Sequence, residues 1–515
     1  MIIYDTTLRD GTQSPDINLS VHDKLEICRA LDEFGVDYIE LGWPGSNPKD
    51  MQCFKEAAKL KFNDTKISAF ASTKRKGLKA EDDPNLKAVI TSGADACSIF
   101  GKTWVEHVQR QLGITKQENV DAITESISFL EGKGIEVFFD AEHFFDGYKD
   151  DAEYALQVLE AARDSGASCL VLCDTNGGML PGDVQEIVRK VKSRIRHTEI
   201  GIHCHNDSGM AAANSMMAVI SGATHIQGTI NGFGERTGNC DLTTAIPNMM
   251  LKMGIDLPKI NLEMLSKISD LVYTLTNEKP EANQPFVGRN AFSHKGGIHV
   301  DAIMKGASYE HIDPGRVGNK RGIILSDLSG KANIVEVAKK FGIRADKNDP
   351  RVRDMLDEVE DMEKRGYDIK DLDAEKFLLV NKHLGNKEKI LKIDSWQITS
   401  KDVNQSECSV TGEVEGKRRQ EKAVAKGGPV EAAYSALKRM LLSDYPQVKD
   451  LKLVNYKVMI AKDMGAESSV RVYIEFENRS EVWGCVGVNI NILEASIEAI
   501  QKGFMYYILK HEDVS

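Results

Sequence analysis

Two segments of this chain bring together residue types that do chemistry. The first is Asp5-Thr6-Thr7-Leu8-Arg9-Asp10-Gly11-Thr12-Gln13, which follows the apolar run Ile2-Ile3-Tyr4. Alone, this polar run can be a turn with an Asp cap. The second is His203-Cys204-His205-Asn206-Asp207, which ends another apolar run, IGIHC. Strand side chains alternate, so His203 and His205 share a face. Two imidazoles side by side are a ready pair of metal ligands, and Asp10 can add a hard oxygen. Such an N/O set admits Zn²⁺, Mn²⁺ or Mg²⁺. A lone histidine there is more often structural. A third segment reads Asn231-Gly232-Phe233-Gly234-Glu235-Arg236-Thr237-Gly238-Asn239. Gly232 and Gly234 permit close backbone approach by a phosphate or cofactor tail, and the Asn239 carbonyl suits a metal or a metal-bound water. Glu142 in FFDAEHF is a candidate acid, base or orienter. Thr175 in CDTNG is a neutral donor suited to a substrate carboxylate, although Asp, Thr and Asn also cap helices.

The elements that must position these groups alternate regularly. Strand signals begin near Ile2, Tyr38, Lys66, Asp95, Glu136, Cys169, Glu199 and His225, with helical stretches between them such as Ser20–Phe34, Asn119–Lys133, Ala152–Ser165 and Pro181–Arg194. Ser20 and Asp183 read as N-terminal caps, Gly35 and Gly166 as helix stops. Eight strand–helix units in about 260 residues predict a (β/α)8 TIM barrel over residues 1–275, with the chemistry at the C-terminal ends of its strands. A doubly wound open sheet would want a Gly-rich first turn, and Asp5–Gly11 is not GxGxxG. Residues 276–388 read as a helical connector, exemplified by VRDMLDEVEDMEKRG at Val352–Gly366. Residues 389–515 carry an internal repeat: Val430–Leu437 aligns with Leu493–Ile500, each after strand-like runs. That predicts an α+β domain of two βββα units, regulatory or structural, without a compact cluster of titratable residues.

The chain has 515 residues, enough for about three domains. Its 66 Lys and Arg against 78 Asp and Glu give a net charge of -12, which argues against a nucleic-acid partner. No apolar run approaches the ~20 residues of a membrane helix, and no basic-then-apolar leader precedes Ile2, so a cytoplasmic location is expected. Nine cysteines, several inside apolar runs and none in a CxxC pair, fit reduced buried thiols.

These motifs resemble those of the 2-isopropylmalate, homocitrate and citramalate synthase family. DTTLRDGTQ with Lys24 eleven residues beyond Gln13 is similar to its first signature, and IGIHCHNDSGMAAA to its second. NGFGERTGN resembles the loop after strand eight, FSHKGGIHVDA a connector segment, and the duplicated tail a regulatory domain. The resemblance covers nearly the whole chain. It implies a metal-dependent Claisen-type condensation of acetyl-CoA with a 2-oxo acid. The metal would be held by Asp10, His203, His205 and Asn239, the substrate carboxylate by Thr175, and the developing oxyanion by Arg9. His299, with Tyr309 ten residues on, would supply the base, oriented with help from Glu142. It further implies a homodimer and an amino-acid effector such as isoleucine.

Within the family, GWPGSNPKD and DAEHFFDGYKDD are similar to the longer citramalate-forming members, which use pyruvate. Members that form 2-isopropylmalate from 2-oxoisovalerate more often carry a GFP-type turn, and a Glu-Asp pair where this chain has Glu142-His143. Asp140 departs from the pattern, since some citramalate-forming members place an aromatic there. Acyl-CoA lyases with the same barrel carry a cysteine in the loop after strand eight, whereas here the loop reads GERTGN and Cys240 follows it. A carboxyltransferase would use a biotin carrier with a lysine-centred motif, which this sequence lacks.

Overall fold

The computed structural model describes residues 1–294, 309–323, 325, 329–370, 372–385, 390–402, 405–462, 468–478 and 480–511. These form two compact units. The first holds residues 1–292 and 312–320; the second gathers the described residues of 293–311 and 321–515.

The first unit is a closed barrel of eight parallel strands: β1 (Ile2–Asp5), β2 (Tyr38–Gly42), β3 (Lys66–Ser72), β4 (Ala96–Lys102), β5 (Glu136–Glu142), β6 (Cys169–Asp174), β7 (Glu199–Cys204) and β8 (His225–Gly228). Each strand pairs with the next, and β1 closes on β8 with Tyr4 opposite Gln227. Period-two alternation sorts the side chains into two layers. Ile3, Ile39, Ile67, Ile99, Phe139, Leu170, Ile202 and Ile226 join the helices in one large apolar core. Tyr4, Tyr38, Phe138 and Val171 fill the barrel interior with Ala96, Cys169 and Cys173. Polar Glu40, Asp140, His203 and Gln227 are buried as well.

The helices start where local chemistry satisfies their first N–H groups. Ser20 makes a reciprocal capping box with Asp23, and the helix it opens, Val21–Phe34, stops at Gly35 in the left-handed region (φ 98). The helix expected from Asn119 begins three residues earlier, at Lys116, because Thr115 and Glu118 form another capping box. Asp183 is not a cap: Pro181 opens its helix, the N-cap is Leu180, and Asp183 sits inside the first turn. All nine cysteines are free and buried.

Lys24 is buried and bonds Asp50 at 2.8 Å and the Leu41 carbonyl at 3.1 Å, tying the first helix to β2 and to the helix Pro48–Ala57 that follows it. Lys24→Met strands Asp50 and is expected to lower the unfolding free energy by about 3–5 kcal/mol, read by urea denaturation.

In the second unit, short strands β9 (Ser293–His294) and β10 (Gly322–Ile323) pair in parallel. Helices Lys331–Lys340, Pro350–Lys364 and Asp373–Leu384 follow. Then come two antiparallel three-stranded sheets, β11 (Leu391–Asp402), β12 (Gln405–Val414), β13 (Lys417–Ala425) and β14 (Lys452–Lys462), β15 (Ser469–Glu477), β16 (Val482–Asn489). Each sheet is followed by a helix, Pro429–Leu442 and Ile492–His511, so the duplicated βββα pattern is present. Gly503 lets the last helix lie against the sheet, since a Cβ there would fall 2.2 Å from the Phe476 ring. The expectation that the tail lacks a titratable cluster fails. Partly exposed Lys502 bonds Glu498 at 2.9 Å and pairs with buried Glu375 at 3.2 Å, while the Tyr367 hydroxyl donates to Glu498 at 2.7 Å. Burial opposes the Lys502 charge, but Glu375 and Glu498 outweigh it and raise its pKa.

Candidate active site at the barrel mouth

Asp10 lies on the turn after β1, just before a short 3-10 segment, Gly11–Gln13. Its carboxylate makes no cap bond there. The turn is held instead by buried Asp5, which accepts from the Thr7 N–H at 2.9 Å and the Thr7 hydroxyl at 2.8 Å. That frees Asp10 to face β7, and its Oδ2 sits 3.3 Å from His203 Nε2. His203 and His205 share one face with ring centroids 5.1 Å apart. Asp10, His203 and His205 thus form a group that can hold a metal ion, with ligand atoms all within 4.8 Å of one another.

Orphaned atoms test that fit. Asp10 Oδ1, His205 Nδ1 and Asn239 Oδ1 are all buried without a hydrogen-bond partner. Buried polar atoms are normally paired, so these three unpaired atoms fit a cation-binding role. Burial works against the Asp10 charge, but Arg9 and then His203 hold its pKa far below the usual carboxylate range. His205 is pushed down to about 4 by burial and by His203, which leaves a neutral imidazole suited to ligation. Asn239 reaches the site through an isolated bridge to His205, while its amide N–H donates to the Phe233 carbonyl at 3.0 Å.

The loop glycines also have a local reason. Gly232 has φ 70, and a Cβ at Gly238 would lie 1.9 Å from the Gly232 carbonyl oxygen. One at Gly234 would lie 2.1 Å from the Asn239 amide nitrogen. Both close approaches belong to the fold of the loop that delivers Asn239.

Arg9 is fixed on three sides. Its Nε donates to buried Glu40 at 2.5 Å, its NH1 lies 3.1 Å from Asp10, and its guanidinium stacks 3.8 Å from the Phe70 ring centroid. Burial opposes its charge, and Glu40, Asp10 and Asp140 together outweigh burial. Thr175, just after β6, accepts the His143 backbone N–H at 2.8 Å. Its own O–H proton is therefore left for another acceptor. Glu142 is partly buried; it ends β5 and pairs with Lys102 of β4.

Arg9, Asp10, Phe70, Glu142, Thr175, His203 and His205 line one cavity of about 190 Å³, together with Gln13, Trp43, Phe100, Asp140, Cys173 and Glu235. Trp43, Phe70 and Phe100 form an aromatic wall: Phe70 and Phe100 stack at 5.1 Å, and Trp43 meets them edge-on at 5.4 and 5.6 Å. Trp43 is itself held by a 2.5 Å bond from its indole N–H to Asn85. Sequence reasoning missed Glu40, Gln227 and this wall. The available signal was a polar residue at an inward position of an otherwise apolar strand, as in YIEL and HIQG.

His299 lies outside the described residues. Tyr309 is described, in the second unit, and is 49% exposed. Cys240 is wholly buried, and burial pushes its thiol up to about 12. Such a thiol is inert, unlike a cysteine that works from this loop. Among the described residues no helix is long and apolar enough to cross a membrane.

Comparison with known proteins gives a consistent pattern. The HMGL-like family model matches residues 1–272, the homocitrate synthase post-HMGL domain-like model residues 286–366, and the LeuA allosteric (dimerisation) domain model residues 369–508. The chain is 44% identical to the (R)-citramalate synthase of Aquifex aeolicus, over 99% of this chain and 98% of that protein. It is 44% identical to that of Geobacter sulfurreducens, over 99% and 98%. With that of Sulfolobus acidocaldarius the identity is 43%, over 98% and 96%.

Proposed function

We infer the reaction of this site from one premise: the chain belongs to the HMGL-like family and, within it, to the (R)-citramalate synthases. We propose that it condenses acetyl-CoA with pyruvate to give (R)-citramalate and CoA. The observation that carries the reading is the convergence of Arg9, Asp10, His203 and His205 on one cavity with an aromatic wall.

Asp10, His203, His205 and Asn239 would hold a divalent ion, Zn²⁺, Mn²⁺ or Mg²⁺. When bound, that ion supplies Lewis-acid polarisation of the keto group and orients the 2-oxo acid. The Thr175 O–H donates to the substrate carboxylate. The Trp43–Phe70–Phe100 wall is the apolar face available to the side chain of the 2-oxo acid, for which we propose a methyl. A base takes a proton from the acetyl methyl group, and histidine has the fitting pKa; the family resemblance assigns this role to His299, with Tyr309 ten residues on, and an assisting role to Glu142. The methyl carbon then bonds to the keto carbon, and the carbonyl electron pair moves onto the former keto oxygen. Arg9 stabilises that charge from a position already fixed by Glu40, so little reorganisation is needed. Water then cleaves the thioester, releasing CoA and making the sequence irreversible.

The match of the tail to an allosteric (dimerisation) domain supports a homodimer regulated by an amino acid, for which we propose isoleucine. The test is CoA release from acetyl-CoA with pyruvate, 2-oxoisovalerate and 2-oxoglutarate in parallel, with and without isoleucine. Release with pyruvate, suppressed by isoleucine, is expected. Preferential release with 2-oxoisovalerate would reassign the substrate to that of a 2-isopropylmalate synthase.

A further inference from the structure

His203 has two ring nitrogens, and only one can face Asp10. Nε2 does, at 3.3 Å. Nδ1 points the other way, 2.9 Å from Gln227 Oε1. The two residues are direct register partners on β7 and β8, on the same inward face. The other end of the Gln227 amide donates through Nε2 to Asp140 Oδ1 at 3.1 Å. All three side chains are buried: Gln227 wholly, Asp140 4% exposed and His203 5%. A carboxylate can only accept, so the amide must turn its NH₂ toward Asp140 and its oxygen toward His203. An amide oxygen in turn can only accept, so Nδ1 must carry the proton, and the Nε2 lone pair is left facing Asp10.

We propose that Asp140 and Gln227 are positioning residues: the Asp140 carboxylate fixes the Gln227 amide, and Gln227 fixes the tautomer and ring orientation in which His203 presents Nε2 as a metal ligand. This rests on the metal reading of Asp10, His203 and His205. It also explains the departure at position 140. An aromatic there would abut the cavity; an aspartate instead reaches across the barrel interior to β8. Outer partners of this kind typically govern metal affinity by 10–100-fold.

The discriminating variant is Asp140→Asn, which keeps shape and volume. Its side chain can accept or donate, so it no longer dictates which way the Gln227 amide faces. With the amide reversed, NH₂ meets Nδ1, the ring proton moves to Nε2 and the ligand lone pair is lost. Gln227→Leu removes the restraint altogether. The experiment is a chelator-competition titration of full-length wild type, Asp140→Asn and Gln227→Leu with Zn²⁺ and with Mn²⁺, beside thermal unfolding of the metal-free forms.

The expected result is a metal Kd raised about 10–100-fold in both variants, with metal-free Asp140→Asn unfolding at the wild-type temperature. Wild-type affinity in a folded Asp140→Asn overturns the positioning proposal and leaves the metal site standing. A wild type that binds no stoichiometric metal overturns both. Should Gln227→Leu not fold, Asp140→Asn decides alone; should neither fold, Asp140 and Gln227 are structural and the proposal fails.

Discussion

Replacing His203 by alanine is expected to lower kcat/KM for citramalate formation by at least about three orders of magnitude and to remove the bound metal. The magnitude follows from what the ion supplies. Lewis-acid stabilisation of an oxyanion is worth several kcal/mol, and about 4 kcal/mol corresponds to roughly 10³ in rate. His203 is the ligand with the most support behind it: Asp10 lies at Nε2 and Gln227 at Nδ1. His205, by contrast, has an unpartnered Nδ1. The measurement is metal content by elemental analysis together with steady-state kinetics in excess metal. A His203→Ala enzyme that retains stoichiometric metal and wild-type turnover would refute the ligand assignment.

The second large effect is expected at Arg9. Arg9→Lys keeps a positive charge, yet a lysine cannot bond Glu40, approach Asp10 and stack on Phe70 with one planar group. These contacts, at 2.5, 3.1 and 3.8 Å, aim the guanidinium into the cavity. Losing a preorganised oxyanion donor typically costs about 10²–10³ in kcat. Because Glu40 is wholly buried, the exchange also weakens the partner of an internal carboxylate, and the unfolding temperature should drop as well. Activity and stability are separable by assaying well below the midpoint of unfolding. Turnover within a factor of a few of wild type at that temperature would remove Arg9 from the reacting centre.

Most of the barrel was legible because its signals are local. A strand with one face in the barrel and one on the helices shows as a short apolar run, and the expected starts at Ile2, Tyr38, Lys66, Glu136, Cys169, Glu199 and His225 coincide with those observed. Asp10, His203 and His205 were legible for the same reason, since each follows or ends such a run. Helix starts were read less well where two capping signals compete. The Thr115-x-x-Glu118 box opens its helix three residues ahead of Asn119, whereas Pro181–Arg194 has the expected bounds and differs only in its cap, Leu180 instead of Asp183.

The supporting partners escaped because their meaning lies in closure of the barrel. Gln227 and Asp140 are 87 residues apart and meet only when β8 and β5 face each other across the interior. Arg9 and Glu40 meet across neighbouring strands in the same way. Lys502 was invisible as a cluster because Glu375 and Tyr367 come from the connector and Glu498 from one turn earlier on its own helix.

That last cluster has a consequence for how the second unit comes apart. Glu375 is 2% exposed, and its charge is balanced by Lys502 at 3.2 Å. A buried carboxylate cannot lose its cation cheaply. The helix Ile492–His511 therefore cannot swing away from the helix bearing Glu375 without leaving that carboxylate uncompensated. The two helices are expected to open together, as a single cooperative foldon with matched amide hydrogen-exchange protection.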